Sequence, residues 1–154
     1  MLSYLKKITS VRFPTFFSKM NFSSSDLPKW DHAGKSKILP KEFTEAFDEV
    51  TNEDESPFVV VDVREDGEIS FADLPFKNKH GVRVPKVDIL MNALFKDPDV
   101  LEDIPKDKHI VVMCHHGVRS HHSAEFLKTK GFTAMNLAGG IDKISDIWPK
   151  IPKY

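Results

Sequence analysis

Apolar runs alternate along the chain with segments whose apolar residues recur at helical spacing. Two runs, Phe58–Asp62 and His109–Met113, are rich in β-branched residues, which is typical of strands buried on both faces. Helical spacing is found in Lys41–Val50, which Pro40 opens, and in Val87–Phe95. Shorter patterns predict strands at Lys37–Leu39, Val82–Val84 and Phe132–Asn136. This alternation predicts an α/β fold in which a mostly parallel sheet has helices on both faces.

Four further segments complete the pattern. A helix is expected from Arg119 to a point before Gly131, a residue type that suits the left-handed C-cap position. The polar segment 98–105 predicts a turn or short helix. Gly139 and Gly140 predict a turn with positive φ or a close backbone approach. A terminal helix follows, with an expected apolar face made of Ile141, Ile144, Ile147 and Trp148.

Residues 1–25 differ in composition from the rest of the chain. Before Asp26 there is no acidic residue, Leu2, Leu5 and Ile8 are spaced for one helical face, and the basic residues are Lys6, Lys7, Arg12 and Lys19. This is typical of a mitochondrial transit peptide, and a weakly basic tail without a targeting role is the alternative. We expect residues 1–35 to be a tail and linker and residues 36–154 to be the folded domain, with Trp30 docked on it. The expected location is mitochondrial, or otherwise cytoplasmic.

Length and charge exclude several classes of function. Of the 154 residues 40% are hydrophobic, so one domain can bury a sizeable core. The formal net charge of -1 gives no general attraction to nucleic acid or to an anionic membrane surface. No stretch approaches the roughly 20 apolar residues of a membrane span. Neither nucleic acid nor a membrane is therefore expected as a partner.

Cys114 is the only cysteine, which excludes an internal disulfide and suits a reducing compartment. It stands between a predicted strand and a predicted helix, where loop amides and the helix N-terminus stabilise a thiolate. Gly117 permits a tight loop, Arg119 adds a permanent cation, and His115 and His116 add hydrogen-bond donors. These neighbours favour a nucleophilic cysteine. A cysteine that only fills the core is the alternative.

Polar residues also follow the other buried strand. Asp62 and Arg64 lie at its carboxyl end, where open α/β sheets bind their ligands. Arg64 and Glu68 are close enough in sequence to form an ion pair. We therefore expect Arg64 to have a structural role.

Four histidines surround the loop, but their spacing does not match a metal site. Two ligands on one helix face lie four residues apart, and adjacent side chains are expected to diverge. The spacings here are one, five, six or seven positions among His115, His116, His121 and His122. We therefore expect no metal and no cofactor, polar donors at His115 and His116, and exposed helix residues at His121 and His122.

Three motifs in this order resemble the rhodanese family, specifically its single-domain sulfurtransferases. They are Cys114-His-His-Gly-Val-Arg119-Ser120, Asp62-Val-Arg64-Glu65 and Asn136-Leu-Ala-Gly-Gly-Ile-Asp142, and the resemblance extends from about Lys37 to the C-terminus. It implies a rhodanese-like domain with Cys114 as the catalytic residue. It further implies an active-site loop made of His115, His116, Gly117, Val118 and Arg119, supported by Asp62, Arg64 and Ser120. The chain departs from the family pattern at residues 71–85, where its connection is longer and more basic.

The length of the loop separates sulfur transfer from phosphate chemistry. Four residues lie between Cys114 and Arg119, whereas the cysteine phosphatases that resemble rhodaneses have five, which widens the loop for a phosphate. The resemblance therefore implies transfer of sulfur from thiosulfate or a persulfide, through a Cys114 persulfide, to cyanide, a thiol or a protein cysteine. One alternative is a non-catalytic module that carries sulfur or docks with a partner. A cysteine-dependent phosphatase or an arsenate reductase is less favoured.

Overall fold

The computed structural model describes residues 26–154, so the predicted targeting segment, residues 1–25, lies outside the described part. Five strands form one sheet in the order β1-β5-β4-β2-β3, and all their pairings are parallel. The strands are β1 (Lys37–Ile38), β2 (Phe58–Asp62), β3 (Lys86–Asp88), β4 (His109–Met113) and β5 (Ala134–Leu137). The α-helices are α1 (Pro40–Glu49), α2 (Asp66–Phe71), α3 (Met91–Lys96), α4 (Val118–Thr129) and α5 (Gly140–Ile147), and a 3-10 helix spans Pro98–Asp103.

The central strands β2 and β4 bury side chains on both faces, as their apolar runs predict. Val60 and Val111 belong to the core that also holds side chains of α1 and α5. Val61 and Val112 belong to the core on the opposite face, with side chains of α3 and α4. The expected fold class, a parallel sheet covered by helices on both faces, is thus confirmed. The predicted bounds of β2 and β4 match the structure.

The connection before α3 differs from the prediction. The third strand is Lys86–Asp88 rather than 82–84, and the helix begins at Met91 rather than at Val87. Val87 pairs in register with Val61 of β2, so the apolar residues of this segment first follow the alternation of a strand. The spacing of the apolar residues in this segment fits both a helix and a strand, and pairing with β2 makes it a strand.

Smaller differences concern the ends of elements. The C-terminus of α4 has a Schellman motif, in which Gly131 has φ +86° and Phe132 N donates to Leu127 O at 3.1 Å. Because Phe132 belongs to this cap, β5 begins only at Ala134. The short helix α2 was not predicted, since it buries no side chain. Ile147 is 41% exposed, so its assignment to the apolar face of α5 is wrong.

The segment before β1 packs on the domain. The Trp30 ring stacks on Phe58 with a centroid distance of 5.0 Å, and His109 Nε2 is 2.9 Å from Pro28 O. The expected docking of Trp30 is therefore confirmed. Within residues 26–154, no helix is both long enough and apolar enough to cross a membrane.

Candidate active site

Cys114 follows β4 directly, at the carboxyl edge of the sheet, and is only 1% exposed. Its Sγ is 3.1 Å from Gly117 N and 3.4 Å from Ser120 N, and both amides donate to it. Ser120 Oγ lies 3.2 Å from the same sulfur. Amide donors around a sulfur stabilise negative charge on it. Burial alone fits a cysteine that fills the core, but the polar surroundings favour a nucleophile.

Ser120 and Asn136 form a hydrogen-bonded chain behind the sulfur. Asn136 Nδ2 donates to Gly117 O at 3.0 Å, and Asn136 Oδ1 accepts from Ser120 Oγ at 2.6 Å. A hydroxyl has one proton, so while Ser120 donates to Asn136 it can only accept from the Cys114 thiol. Once the thiol loses its proton, rotation of the hydroxyl lets it donate to sulfur. Ser120 can therefore pair with Cys114 in either protonation state.

The N-terminus of α5 holds the carbonyl groups of the loop. Ile141 N donates to Cys114 O at 3.0 Å, and Asp142 N donates to His115 O at 3.1 Å. Because C=O and N–H of a trans peptide point in opposite directions, the N–H groups of the two following residues point away from α5. These contacts supply two of the backbone acceptors that a helix N-terminus requires.

Two glycines permit this close approach. Gly140 has φ +62°, and a Cβ built there would lie 2.3 Å from His115 O and 2.4 Å from Cys114 O. Gly117 has φ +94°, and its Cβ would lie 2.8 Å from Gly139 N. Gly139 itself has φ +76°. The expectation of positive φ and a close backbone approach at residues 139–140 is therefore confirmed.

Arg119 forms a bidentate ion pair with Glu68 of α2, with Nη1–Oε2 and Nη2–Oε1 distances of 2.8 and 2.7 Å. The predicted pair between Arg64 and Glu68 is wrong, since Arg64 Nη1 reaches only the Glu68 carbonyl, at 3.5 Å. The hydrogen bonds from Arg119 lower the pKa of Glu68 to about 2, against the opposing effect of burial. The same bonds raise the pKa of Arg119. The pair ties the active-site loop to α2.

Arg64 is held inside the protein by Asp62. Its side chain is fully buried, with Nη2 2.8 Å from Asp62 Oδ2 and Nε 3.0 Å from Asp62 Oδ1. Burial opposes the charge of Arg64, but the hydrogen bonds and charge of Asp62 outweigh it and raise the pKa of Arg64. Nη1 also donates to Ala72 O at 2.8 Å and to Tyr154 Oη at 2.9 Å. These contacts fix the chain around the site, as the expected structural role requires.

The His115 ring lies between two other rings. Its centroid is 3.7 Å from that of His116 and 3.8 Å from that of Tyr154, with interplanar angles of 29° and 11°. The expectation that adjacent histidines diverge is therefore wrong. It assumed helical geometry, whereas α4 begins only at Val118. Burial is the main cause that lowers the pKa of His115, and the neighbouring His116 is the second.

One group of metal-ligating side chains exists within residues 26–154. The ligand atoms of His115, His116 and Asp142 all lie within 4.8 Å of one another. A metal binds in the plane of an imidazole ring. The His115 ring is stacked face to face between the rings of His116 and Tyr154, so the two histidine rings lie one above the other and their nitrogens do not point toward a common centre. The arrangement therefore favours ring stacking, and we assign no metal to it.

The crest of the loop faces solvent. Val118 is 65% exposed, and the His116 side chain is 63% exposed. His121 and His122 are exposed on α4, as expected. The structure thus brings the loop residues and Ser120 together around Cys114, with Asp62 and Arg64 as support.

Three residues of the site were not assigned these roles from the sequence: Glu68, Asn136 and Tyr154. Asn136 stands in a recognised motif, but its hydrogen bonds to Ser120 and Gly117 depend on the adjacency of β4 and β5. Tyr154 lies 90 positions from Arg64, and no local pattern signals their contact. For Glu68 the one signal in the sequence was a carboxylate close to Arg64, and that signal indicated the wrong arginine.

The ion pair between Glu68 and Arg119 is expected to stabilise the protein in a pH-dependent way. The pKa of Glu68 is about 2 in the folded protein, below its ordinary value of 4.5, so the stabilisation by the pair is complete above pH 4.5 and is lost as the pH falls toward 2. We expect Glu68→Gln to lower the free energy of unfolding by about 1 kcal/mol near pH 7 and by less near pH 3. Urea unfolding at both pH values measures this.

Glu102→Gln is the matched control for this prediction. Glu102 is exposed, and the substitution also removes one negative charge. The interpretation fails if Glu68→Gln and Glu102→Gln have equal effects near pH 7, or if the effect of Glu68→Gln grows on acidification.

Sequence comparisons with known proteins show the family of this chain. The family model of the rhodanese-like domain matches residues 39–146. YtwF of Bacillus subtilis, whose name describes it as a sulfurtransferase, is 32% identical over 98 residues, which cover 64% of this chain and 82% of that protein. A protein of Allochromatium vinosum named sulfurtransferase is 29% identical over 89 residues, covering 57% of this chain and 72% of its own.

A solved structure shows the same architecture. The rhodanese-like domain protein from Staphylococcus aureus superposes with a TM-score of 0.55 at 26% identity, covering 71% of this chain and 91% of its own. The family model covers most of the chain, including Cys114, its loop and the Asp62–Arg64 pair. The chain therefore belongs to the rhodanese-like domain family, and the two relatives that it resembles carry the name sulfurtransferase.

Proposed function

We propose that this protein is a sulfurtransferase that carries sulfur as a persulfide on Cys114. The observation that supports this is the position of Cys114 Sγ, which receives hydrogen bonds from the amides of Gly117 and Ser120 inside a short loop. These donors stabilise the thiolate that attacks and the thiolate that is released. Sulfurtransferase names among the relatives support the same class of reaction.

The reaction with thiosulfate has two steps. The Cys114 thiolate attacks the outer sulfur of thiosulfate, the S–S bond of thiosulfate breaks, and sulfite leaves with the bonding electron pair. The product is a Cys114 persulfide anion. A cyanide ion, a cellular thiolate or a protein cysteine then attacks the outer sulfur, and the Cys114 thiolate leaves with the electron pair of the S–S bond. Because Cys114 is the only cysteine, this second nucleophile must come from outside the chain.

Arg119 acts mainly by holding the loop. Both of its terminal nitrogens are bonded to Glu68, although its side chain is still 34% exposed. A second role, attraction of an anionic donor, uses the remaining exposed edge of the guanidinium group. We therefore expect loss of the ion pair to disturb the position of the loop more than the binding of the sulfur donor.

Two other functions lead to different outcomes in one assay. Purified protein is supplied with thiosulfate and cyanide, and thiocyanate is measured. A parallel sample receives p-nitrophenyl phosphate. We expect catalytic formation of thiocyanate and no release of nitrophenol, because the loop has four residues rather than five between Cys114 and Arg119. Nitrophenol release without thiocyanate would instead favour a phosphatase, and neither product would favour a partner-specific sulfur carrier.

Tyr154 is proposed as a positioning residue for the loop. Its ring covers His115, and its hydroxyl lies 2.9 Å from Arg64 Nη1 and 3.3 Å from Glu68 Oε1. We expect Tyr154→Ala to raise the pKa of His115 toward its ordinary value, because burial is the main cause that lowers it. Tyr154→Phe keeps the ring and is expected to leave this pKa nearly unchanged. Titration of the His115 ring by NMR measures both, and equal pKa values in all three proteins would exclude this role.

The N-terminal assignments follow the sequence. We propose that residues 36–154 form the catalytic domain and that the basic residues 1–35 are a tail and linker that direct the protein to mitochondria. A fluorescent protein fused after residue 35 tests this proposal in eukaryotic cells. Mitochondrial fluorescence that is lost when Lys6, Lys7, Arg12 and Lys19 are replaced by glutamine supports targeting, and diffuse fluorescence of the unsubstituted fusion contradicts it.

A further inference from the structure

A cavity lies away from Cys114 and its loop. Its volume is about 410 Å³, within the range of small-molecule sites. The apolar part of its lining is made of Phe47 from α1, Pro75 from the long connection, and Trp148 and Ile151 from the segment after α5. The rings of Phe47 and Trp148 meet edge to face at 5.2 Å. An apolar, aromatic surface of this kind suits a planar apolar group.

The connection that walls this cavity is fixed in place by Asn78. The side chain of Asn78 is buried, and its Nδ2 donates to Phe47 O at 3.0 Å and to Val50 O at 2.8 Å, at the C-terminus of α1. Its Oδ1 accepts from the amides of His80 and Val82. All the hydrogen-bonding capacity of Asn78 is therefore used within the protein, and the wall is preformed. This is the same connection in which the chain departs from the family pattern.

The rim of the cavity is positively charged. Lys77, Lys79 and Lys150 line it and are exposed, and within residues 26–154 none of the three forms an ion pair. One carboxylate, that of Asp48, also lines the cavity, and it accepts the amide of Lys79 at 3.2 Å. The rim thus has three ammonium groups against one carboxylate that is already bonded.

We propose that this cavity is a binding site for a small organic anion with a planar apolar body, such as an aromatic carboxylate. The apolar group packs on Trp148 and Pro75, above the buried Phe47 ring, and the anionic group faces the lysines of the rim. None of the residues that line the cavity belongs to the loop of Cys114, so this site is separate from the candidate active site.

The test uses naphthalene-2-carboxylate and its neutral analogue naphthalene-2-carboxamide, which share the apolar body. Both are titrated into the full chain, and the indole N–H signals of Trp30 and Trp148, the two tryptophans, are followed by NMR. We expect the carboxylate to shift the Trp148 signal saturably and to leave the Trp30 signal unchanged. The carboxamide is expected to bind at least about fivefold more weakly, because it forms no ion pair with the rim. Added salt is expected to reduce this difference.

Two lysine variants with equal changes in charge locate the site. The triple variant Lys77→Gln, Lys79→Gln and Lys150→Gln is expected to lose at least about fivefold in affinity for the carboxylate. The control replaces three exposed lysines that do not line the cavity, Lys29, Lys37 and Lys96, and is expected to stay within about twofold of the wild type. The proposal is overturned if Trp148 does not respond, if both probes bind equally, or if both variants lose the same affinity.

Discussion

Replacement of Cys114 by serine is expected to abolish sulfur transfer, with a loss of at least about 10³-fold in turnover. A serine hydroxyl has nearly the same size, but at neutral pH it is not ionised and forms no persulfide. The donors of Gly117 and Ser120 would then bond a neutral oxygen instead of sulfur. Thiocyanate production from thiosulfate and cyanide measures this loss.

The stability of this variant separates chemistry from folding. Serine retains a hydrogen-bonding atom in the same polar surroundings, so we expect its free energy of unfolding to change by no more than about 1 kcal/mol. Turnover lost in a stable Cys114→Ser protein assigns the chemistry to the thiol. A variant that keeps substantial turnover would exclude Cys114 as the nucleophile.

Gly140→Ala is expected to have the largest effect on the scaffold of the site. A Cβ at this position would lie 2.3 Å from His115 O and 2.4 Å from Cys114 O, and both are backbone atoms that a rotamer change cannot move. The positive φ of +62° adds strain for any residue with a Cβ. We expect a loss of about 2–5 kcal/mol in the free energy of unfolding, together with the loss of the bonds from α5 to the loop.

Gly131→Ala is the matched control for this effect. Gly131 has a similar positive φ of +86°, but a Cβ built there would meet nothing within 4 Å. We expect it to cost about 1–2 kcal/mol, the strain of the left-handed conformation alone. Urea unfolding of both variants isolates the cost of the close approach. Equal losses in the two variants would show that the close approach of α5 to the loop adds nothing to the destabilisation caused by Gly140→Ala.

The strands of the sheet were predictable where one physical cause dominated. In β2 and β4, uninterrupted β-branched residues are buried on both faces of the sheet. These runs of five residues are too short for a typical helix, so the sequence indicates a strand. Around Val87 the spacing of apolar residues fits both the helical period and the alternation of a strand. The segment is a strand because Val87 pairs with Val61 of β2. The strand at β5 starts late because Phe132 completes the cap of α4, which is a property of the helix end rather than of local hydrophobicity.

The position of Cys114 and its loop was predictable from the sequence, but the side chains that contact the loop were not. The position of Cys114 after a buried strand follows from sequence, since strand, loop and helix are consecutive. Arg64 pairs with Asp62 at the buried end of β2, whereas Glu68 lies on α2 at the surface and pairs with Arg119. Which carboxylate meets which arginine therefore depends on the position of α2 in the folded protein. Asn136 and Tyr154 reach the site through sheet order and through the segment after α5. Contacts between distant segments of this kind leave no periodic signal in the chain.

The most direct test of sulfur transfer is the intact mass of the protein after exposure to thiosulfate and removal of excess donor. The wild type is expected to gain the mass of one sulfur atom, about 32 Da, and to return to its original mass on addition of cyanide. Cys114→Ser is expected to gain nothing. A wild-type protein whose mass does not change, or a gain of sulfur that persists in Cys114→Ser, would contradict a persulfide on Cys114.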